Sequence, residues 1–140
     1  MNSNPKICSA CLLGVPCRYD GKSKPNEIVI ALSKIVKLIP VCPEELGGLP
    51  TPRPASGIFD GKVINKDDVD VTDNFQKGAE AALKIAQDNN CTEAILKQRS
   101  PSCGCGQISE GLSKKIIAGD GITARLLKKN NIRIITEEDL

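Results

Sequence analysis

The 140-residue chain has no histidine and no tryptophan, and its only aromatic residues are Tyr19, Phe59 and Phe75. Histidine is the commonest catalytic base, so Ser-His and Cys-His nucleophile arrangements are excluded, as are histidine-ligated zinc and haem. Acid–base work must then fall to Asp, Glu, Lys, Tyr or Cys. So few rings cannot build a platform that stacks the successive bases of a single strand. The net charge is only +2, which argues against a protein that coats a polyanion. No stretch approaches the roughly 20 apolar residues of a membrane span. Met1 to Lys6 is polar, and no apolar run of signal-peptide length follows it. A cytoplasmic protein without membrane partners is expected.

Against these absences stand 7 cysteines. An odd number cannot all pair within one chain, and a cytosolic protein keeps its thiols reduced. Metal or thiol chemistry is the natural use. Soft thiolate ligands favour zinc, copper(I) or iron–sulfur clusters.

The length suits one domain over residues 1–140. Ile7 to Leu13 reads as a first strand. Asn26 caps a helix over Glu27 to Leu38, with Ile28, Leu32, Ile35 and Val36 on one face. Ile39 to Cys42 reads as a second strand stopped by Pro43. A long loop rich in glycine and proline follows, then a hairpin over Phe59 to Asn65 turning at Asp60-Gly61. Asp73 caps a helix over Asn74 to Asp88, lined by Phe75, Ala79, Ala82, Leu83 and Ala86. Ala94 to Lys97 is a strand, Arg99 to Gly106 a loop, Ile122 to Lys129 a helix and Ile132 to Ile135 the last strand. Alternating strands and helices predict an α/β, Rossmann-like domain whose mainly parallel sheet is flanked by helices.

On this layout Cys11, Cys42 and Cys103 each lie at or just beyond the carboxyl end of a strand, where open parallel sheets bind ligands. Other uses of the thiols stand beside this one. Cys8 and Cys11 form a C-x-x-C, but on a strand they point to opposite faces, which suits a redox pair poorly. Cys8, Cys11, Cys103 and Cys105 could make a four-cysteine zinc site. Cys91 reads as a buried small hydrophobe, and Cys17 as a spare thiol or a fourth ligand. Three polar segments adjoin the strand-end cysteines: Arg18-Tyr19-Asp20-Gly21, Pro43-Glu44, and Ser100-Pro101-Ser102-Cys103-Gly104.

These residues carry a resemblance. Ser9-Ala10-Cys11-Leu12-Leu13-Gly14, Arg18-Tyr19-Asp20-Gly21, Pro40-Val41-Cys42-Pro43-Glu44, Pro52-Arg53, Ser100-Pro101-Ser102-Cys103-Gly104 and Gly119-Asp120-Gly121 together resemble the thiouracil desulfidase (TudS-type) family, over nearly the whole chain. The resemblance implies a [4Fe-4S] cluster on Cys11, Cys42 and Cys103, with one iron lacking a protein ligand. It implies loss of sulfur from a thionated pyrimidine, with Glu44 and Ser100 matching the family's functional positions. Cys8, Cys17, Cys91 and Cys105 lie outside its motif.

An open iron suits a Lewis acid for a soft C=S sulfur. Water would then replace sulfur at carbon without redox change, with Glu44 as acid–base group and Ser100 and Ser102 as hydrogen-bonding or relay groups. Arg18, Tyr19, Asp20, Arg53 and Asp120 are expected to bind substrate. Arg18, Arg53, Lys97 and Arg99 could offset the cluster's charge or take a phosphate, and the Gly119–Gly121 amides could seat an anion. Thiolated tRNA or nucleotides, and a non-catalytic zinc or iron–sulfur module, are the alternatives. A monomer or small homo-oligomer is expected.

Overall fold

The computed structural model describes residues 2–109 and 115–140. In chain order its elements are β1 (Lys6–Ser9), α1 (Glu27–Leu32), β2 (Leu38–Val41), α2 (Pro43–Leu46), β3 (Ser56–Phe59), β4 (Lys62–Asn65), α3 (Thr72–Asp88), β5 (Glu93–Leu96), β6 (Gln107–Ser109), β7 (Ile116–Ala118), α4 (Ile122–Lys129) and β8 (Arg133–Thr136). Four strands make one parallel sheet in the order β2-β1-β5-β8. β3–β4 and β6–β7 are separate antiparallel pairs.

Side chains alternate across a strand, so consecutive residues serve opposite faces. Ile7, Ala94 and Leu96 pack with Ala82, Ala86, Ala124 and Leu127 of α3 and α4. Cys8, Ile95 and Ile135 pack on the other face with Val29 and Leu32 of α1. Both faces are therefore covered, which is why β1 and β5 are buried at every position. From β1 the chain passes to β2 on one side, then later to β5 on the other. The crevice beyond the carboxyl ends of β1 and β5 is thus the topological switch point of the sheet.

The α/β architecture follows the sequence reading, while several local features differ. The first strand stops at Ser9, and Ala10–Leu13 forms a 3₁₀ turn. Cys8 and Cys11 consequently share one hydrophobic cluster rather than facing apart. Asn26 does cap α1, its Oδ1 accepting from the Ile28 and Val29 amides at 3.0 and 3.1 Å. The helix, however, ends at Leu32 because the chain turns to enter β2. Val29 is its buried residue, whereas Ile28 and Ile35 are 55% and 81% exposed.

Pro43 does not merely stop a strand. It opens α2, with Glu44 and Glu45 in the first turn, where a missing N–H costs nothing and negative charge is favoured. The α3 helix begins at Thr72, whose amide donates to Asp70 Oδ1 at 2.9 Å; Asp73 lies inside the first turn. The hairpin turns at Asp60-Gly61 as expected, both with positive φ (48° and 77°), and its first strand begins at Ser56.

Candidate active site

The carboxyl ends of β1, β2 and β5 open into a cavity of about 380 Å³. Its wall includes Cys11 from the 3₁₀ turn after β1, Cys42 and Glu44 at the start of α2, and Ser100 and Cys103 from the loop after β5. Cys11 and Cys103 are buried and Cys42 is half-buried. The three thiols that sequence spacing set at strand ends are therefore brought to one space.

Close backbone packing places these groups. A Cβ on Gly78 would lie 1.8 Å from the Pro43 carbonyl oxygen, so only glycine in α3 lets α2 seat there with Cys42 and Glu44. A Cβ on Gly121 would lie 2.4 Å from the Ser102 carbonyl, so α4 starts directly beneath the Cys103 loop. The first amides of α4 donate into that loop: Ile122 to the Pro101 carbonyl at 3.0 Å and Thr123 to the Ser102 carbonyl at 2.8 Å. The Gly121 amide donates to the Gly104 carbonyl at 2.8 Å. These amides hold the loop and do not form the anion seat expected of the Gly119–Gly121 turn.

Ser9 sits at the switch point itself. Its Oγ accepts from the Lys97 amide at 2.9 Å, which ties the end of β1 to the chain leaving β5. Ser100 Oγ accepts from the Ser102 and Cys103 amides, both at 3.1 Å, which folds the loop and leaves the hydroxyl proton able to donate into the cavity. Arg53 Nε donates to Glu44 Oε1 at 2.9 Å. Its Nη1 reaches the Pro50 carbonyl at 3.1 Å, and its Nη2 reaches the Cys17 carbonyl at 2.9 Å and Cys42 Sγ at 4.0 Å.

Among the described residues, no group of three or more Cys, Asp or Glu side chains converges as a single metal ion would need. The thiols instead surround a volume. Cys8 and Cys105 do not line it, so the four-cysteine zinc set is not assembled there. Burial pushes the Cys103 thiol up to about 12, and a hydrogen bond to Cys17 followed by burial holds Cys42 well above its ordinary value. Buried thiols of this kind give up their protons to a bound cation. The donor set fits a thiolate-ligated iron–sulfur cluster, with Cys11, Cys42 and Cys103 as the residues that would hold it. Cys8 suits neither metal nor redox work, being fully buried with its thiol pushed up to about 12.

A model of the 2-thiouracil desulfurase family matches residues 7–139. The chain belongs to that family. It is also 39% identical over 145 residues to the uncharacterized protein YbbK of Bacillus subtilis (strain 168), covering 96% of both chains. The solved structure of the [4Fe-4S]-dependent thiouracil desulfidase TudS matches with a TM-score of 0.92 and 41% identity, over 98% of this chain and 93% of that one.

In this member of the 2-thiouracil desulfurase family, Arg18, Tyr19, Arg53, Glu44 and Ser100 line the cavity as expected. Three other expected site residues do not. Ser102 is fully buried behind the loop, with its Oγ 2.8 Å from Thr123 Oγ1. Asp120 accepts from the Gly106 amide at 2.8 Å and pairs with Lys128 at 3.1 Å. Asp20 is exposed in its turn and accepts from the Lys22 amide at 3.0 Å.

Arg53 also differs from expectation. It lines the cavity, but its nitrogens are committed to Glu44 and the surrounding backbone rather than presented to substrate. Lys97 and Arg99 pair with Glu137 and Glu138 of the C-terminal turn. Sequence reasoning passed over Ser9, Glu137 and Glu138. Ser9 carried one signal, its place at the end of the first strand beside Cys11.

Proposed function

We propose that this desulfurase hydrolyses the C=S bond of a thionated pyrimidine of the thiouracil type, releasing uracil and hydrosulfide. Its cofactor would be a [4Fe-4S] cluster on Cys11, Cys42 and Cys103, with one iron lacking a protein ligand. The observation that carries this reading is the cavity at the switch point, where those three thiols, Glu44 and Ser100 line one wall in a chain of this family. When bound, the cluster supplies a soft Lewis acid for the thiocarbonyl sulfur.

The chain's own groups do the rest. Arg53 holds the Glu44 carboxylate in place, and Glu44 accepts the proton of the attacking water at its free oxygen. Ser100, fixed by the two amides it accepts from, donates its hydroxyl proton to the pyrimidine ring. Tyr19 stands at the cavity edge with Arg18 Cζ 5.9 Å from its ring centroid, forming an edge against which a planar base can lie. Lys97, Arg99 and Arg53 are each paired with a carboxylate, which favours an uncharged base over a nucleotide or thiolated tRNA. Because a C=S carbon already has the oxidation level of the C=O that replaces it, no electron is exchanged. A thiolate-held cluster suits a reducing compartment, and the cytoplasm is the proposed location.

The test uses anaerobically prepared protein. Iron and acid-labile sulfide should disappear in Cys11→Ser, Cys42→Ser and Cys103→Ser, and persist in Cys91→Ser. Thiouracil should turn over repeatedly with every electron donor omitted, and in oxygen-labelled water the new carbonyl should carry the label. Turnover that stops until a reductant is added would overturn the hydrolytic reading.

A further inference from the structure

Ser56, the first residue of β3, lines the cavity and is only 7% exposed. Among the described residues, no group hydrogen-bonds its hydroxyl. The fully enclosed side-chain oxygens and nitrogens of those residues all have partners. The Ser56 hydroxyl is therefore open rather than sealed, and the space it opens onto is the cavity. Its backbone is fixed, since Ser56 pairs with Asn65 across the β3–β4 hairpin and the Lys66 amide donates to the Ala55 carbonyl at 2.9 Å. Other polar groups of the same wall are engaged by the protein. Ser9 and Ser100 accept from backbone amides, Lys97 is held by Glu137 and the Gln98 carbonyl, and Gln98 bonds both the amide and the carbonyl of Cys105.

We infer that Ser56 is a specificity-determining residue, whose hydroxyl donates to the exocyclic carbonyl that the reaction leaves in place. It thereby selects a thionated pyrimidine that carries such a carbonyl. The inference deepens the thiouracil reading above and rests on it. A hydroxyl enclosed without a protein partner forgoes a hydrogen bond that a bound ligand can supply. The chemistry of the wall divides by element. The three thiols, Glu44 and Ser100 come from the turn after β1, the start of α2 and the loop after β5, and these would meet the C=S group. Ser56 comes from the hairpin, which carries none of them. A planar ring with its sulfur turned to the thiols presents its remaining carbonyl elsewhere, and that oxygen only accepts. Ser56 has a proton to give, whereas Arg53, three residues earlier, is committed to Glu44. A site built to hydrogen-bond one substrate group disfavours an analogue without it, because the protein's own polar group is then left unpaired.

The test compares wild type, Ser56→Ala and Ser56→Thr, prepared anaerobically, on 2-thiouracil and on pyrimidine-2-thione, which lacks the second carbonyl. Iron content, Tm and kcat/KM are measured for each. Iron and Tm of Ser56→Ala should match wild type, because the hydroxyl removed has no protein partner. Its kcat/KM for 2-thiouracil should fall about threefold to tenfold, the worth of one neutral hydrogen bond. The loss should be confined to 2-thiouracil, so that the preference over pyrimidine-2-thione falls by the same factor, and threonine, which keeps a hydroxyl, should restore it. Where pyrimidine-2-thione reacts too slowly to follow, its inhibition constant against 2-thiouracil carries the same comparison. Equal losses on the two thiones would assign the hydroxyl to water or to the cofactor and overturn the inference. So would an unchanged preference, or a fall in Tm or iron content in Ser56→Ala. An iron-loaded wild type that turns over neither thione would instead overturn the substrate reading on which the inference depends.

Discussion

Glu44 is adjacent in sequence to Pro43 and one residue further from Cys42, yet it differs from the cysteine in kind. It lies in the first turn of α2 and meets Arg53 at 2.9 Å, so its orientation is fixed independently of any metal. Glu44→Gln should keep full iron content and lower kcat by roughly 10²–10⁴, the usual contribution of a positioned acid–base group. Near-wild-type turnover in the loaded variant would remove Glu44 from the chemistry. Arg53 acts through Glu44. Arg53→Met leaves that carboxylate and the Pro50 and Cys17 carbonyls without their charged donor. Charge-assisted hydrogen bonds contribute about 1.5–3 kcal/mol, so chemical unfolding should show a loss of that order. kcat should fall more than KM changes, since Arg53 aligns the base rather than the substrate. A variant that loses affinity for thiouracil with kcat intact would make Arg53 a substrate ligand after all.

At the scale of elements, the site depends on how α2 is seated. This single turn has too few hydrogen bonds to stand alone. It is held against α3 where Gly78 meets the Pro43 carbonyl and Gly47 meets the Asn74 carbonyl. Gly78→Ala puts a methyl 1.8 Å from a carbonyl oxygen, and no rotamer change can relieve a clash with backbone. The α2 turn must lift, taking Cys42 and Glu44 with it. Overpacking of this kind costs typically about 1–3 kcal/mol. The expected outcome is a lower Tm together with reduced iron content after reconstitution. A Gly78→Ala protein that loads iron and turns over as wild type would show that α2 is not held by this contact.

Across the whole molecule, chemistry and anchorage occupy opposite ends of the sheet. At the amino ends of β1 and β5, Lys6 Nζ lies 3.1 Å from Glu93 Oε1, with side-chain exposures of 0% and 6%. Lys6 also donates to the Asn2 and Asn4 carbonyls, and the Asn2 amide donates to Glu93, which ties down the N-terminal segment. Burial raises the Glu93 carboxyl, but hydrogen bonds from Lys6 and Asn2 and the Lys6 charge outweigh it, leaving the group below its ordinary 4.5. A depressed folded-state value means the unfolded chain takes up the proton first. The stabilisation is therefore fully present above about 4.5 and is lost as pH falls through the folded value. Removing one partner of a buried pair costs roughly 3–5 kcal/mol. Glu93→Gln should lower Tm at neutral pH and lose less further stability on acidification than wild type. Its kcat per loaded cluster should be unchanged. A matching fall in kcat would show that the two ends of the sheet are coupled.

The family, the α/β architecture and the gathering of strand-end thiols at one cavity were legible from residue order alone. The absence of histidine, the thiols at strand ends and the run Cys42-Pro43-Glu44 were legible because they depend on residue type and local order. So were the Asn26 cap and the Asp60-Gly61 turn, whose causes lie within a few residues. Tertiary structure decided which polar residues face the cavity. Ser100 and Ser102 are two positions apart in one motif, yet only the first lines the cavity, because Gly121 lets α4 pack close and bring Thr123 to the second. Asp120 was turned away by Lys128 and the Gly106 amide, and Arg53 was committed to Glu44 across a proline-rich loop. The 3₁₀ turn at Ala10–Leu13 put Cys11 in one cluster with Cys8, where strand periodicity set the two on opposite faces. In each case the deciding partner comes from another part of the fold, through close packing that hydrophobic pattern and local propensity do not record.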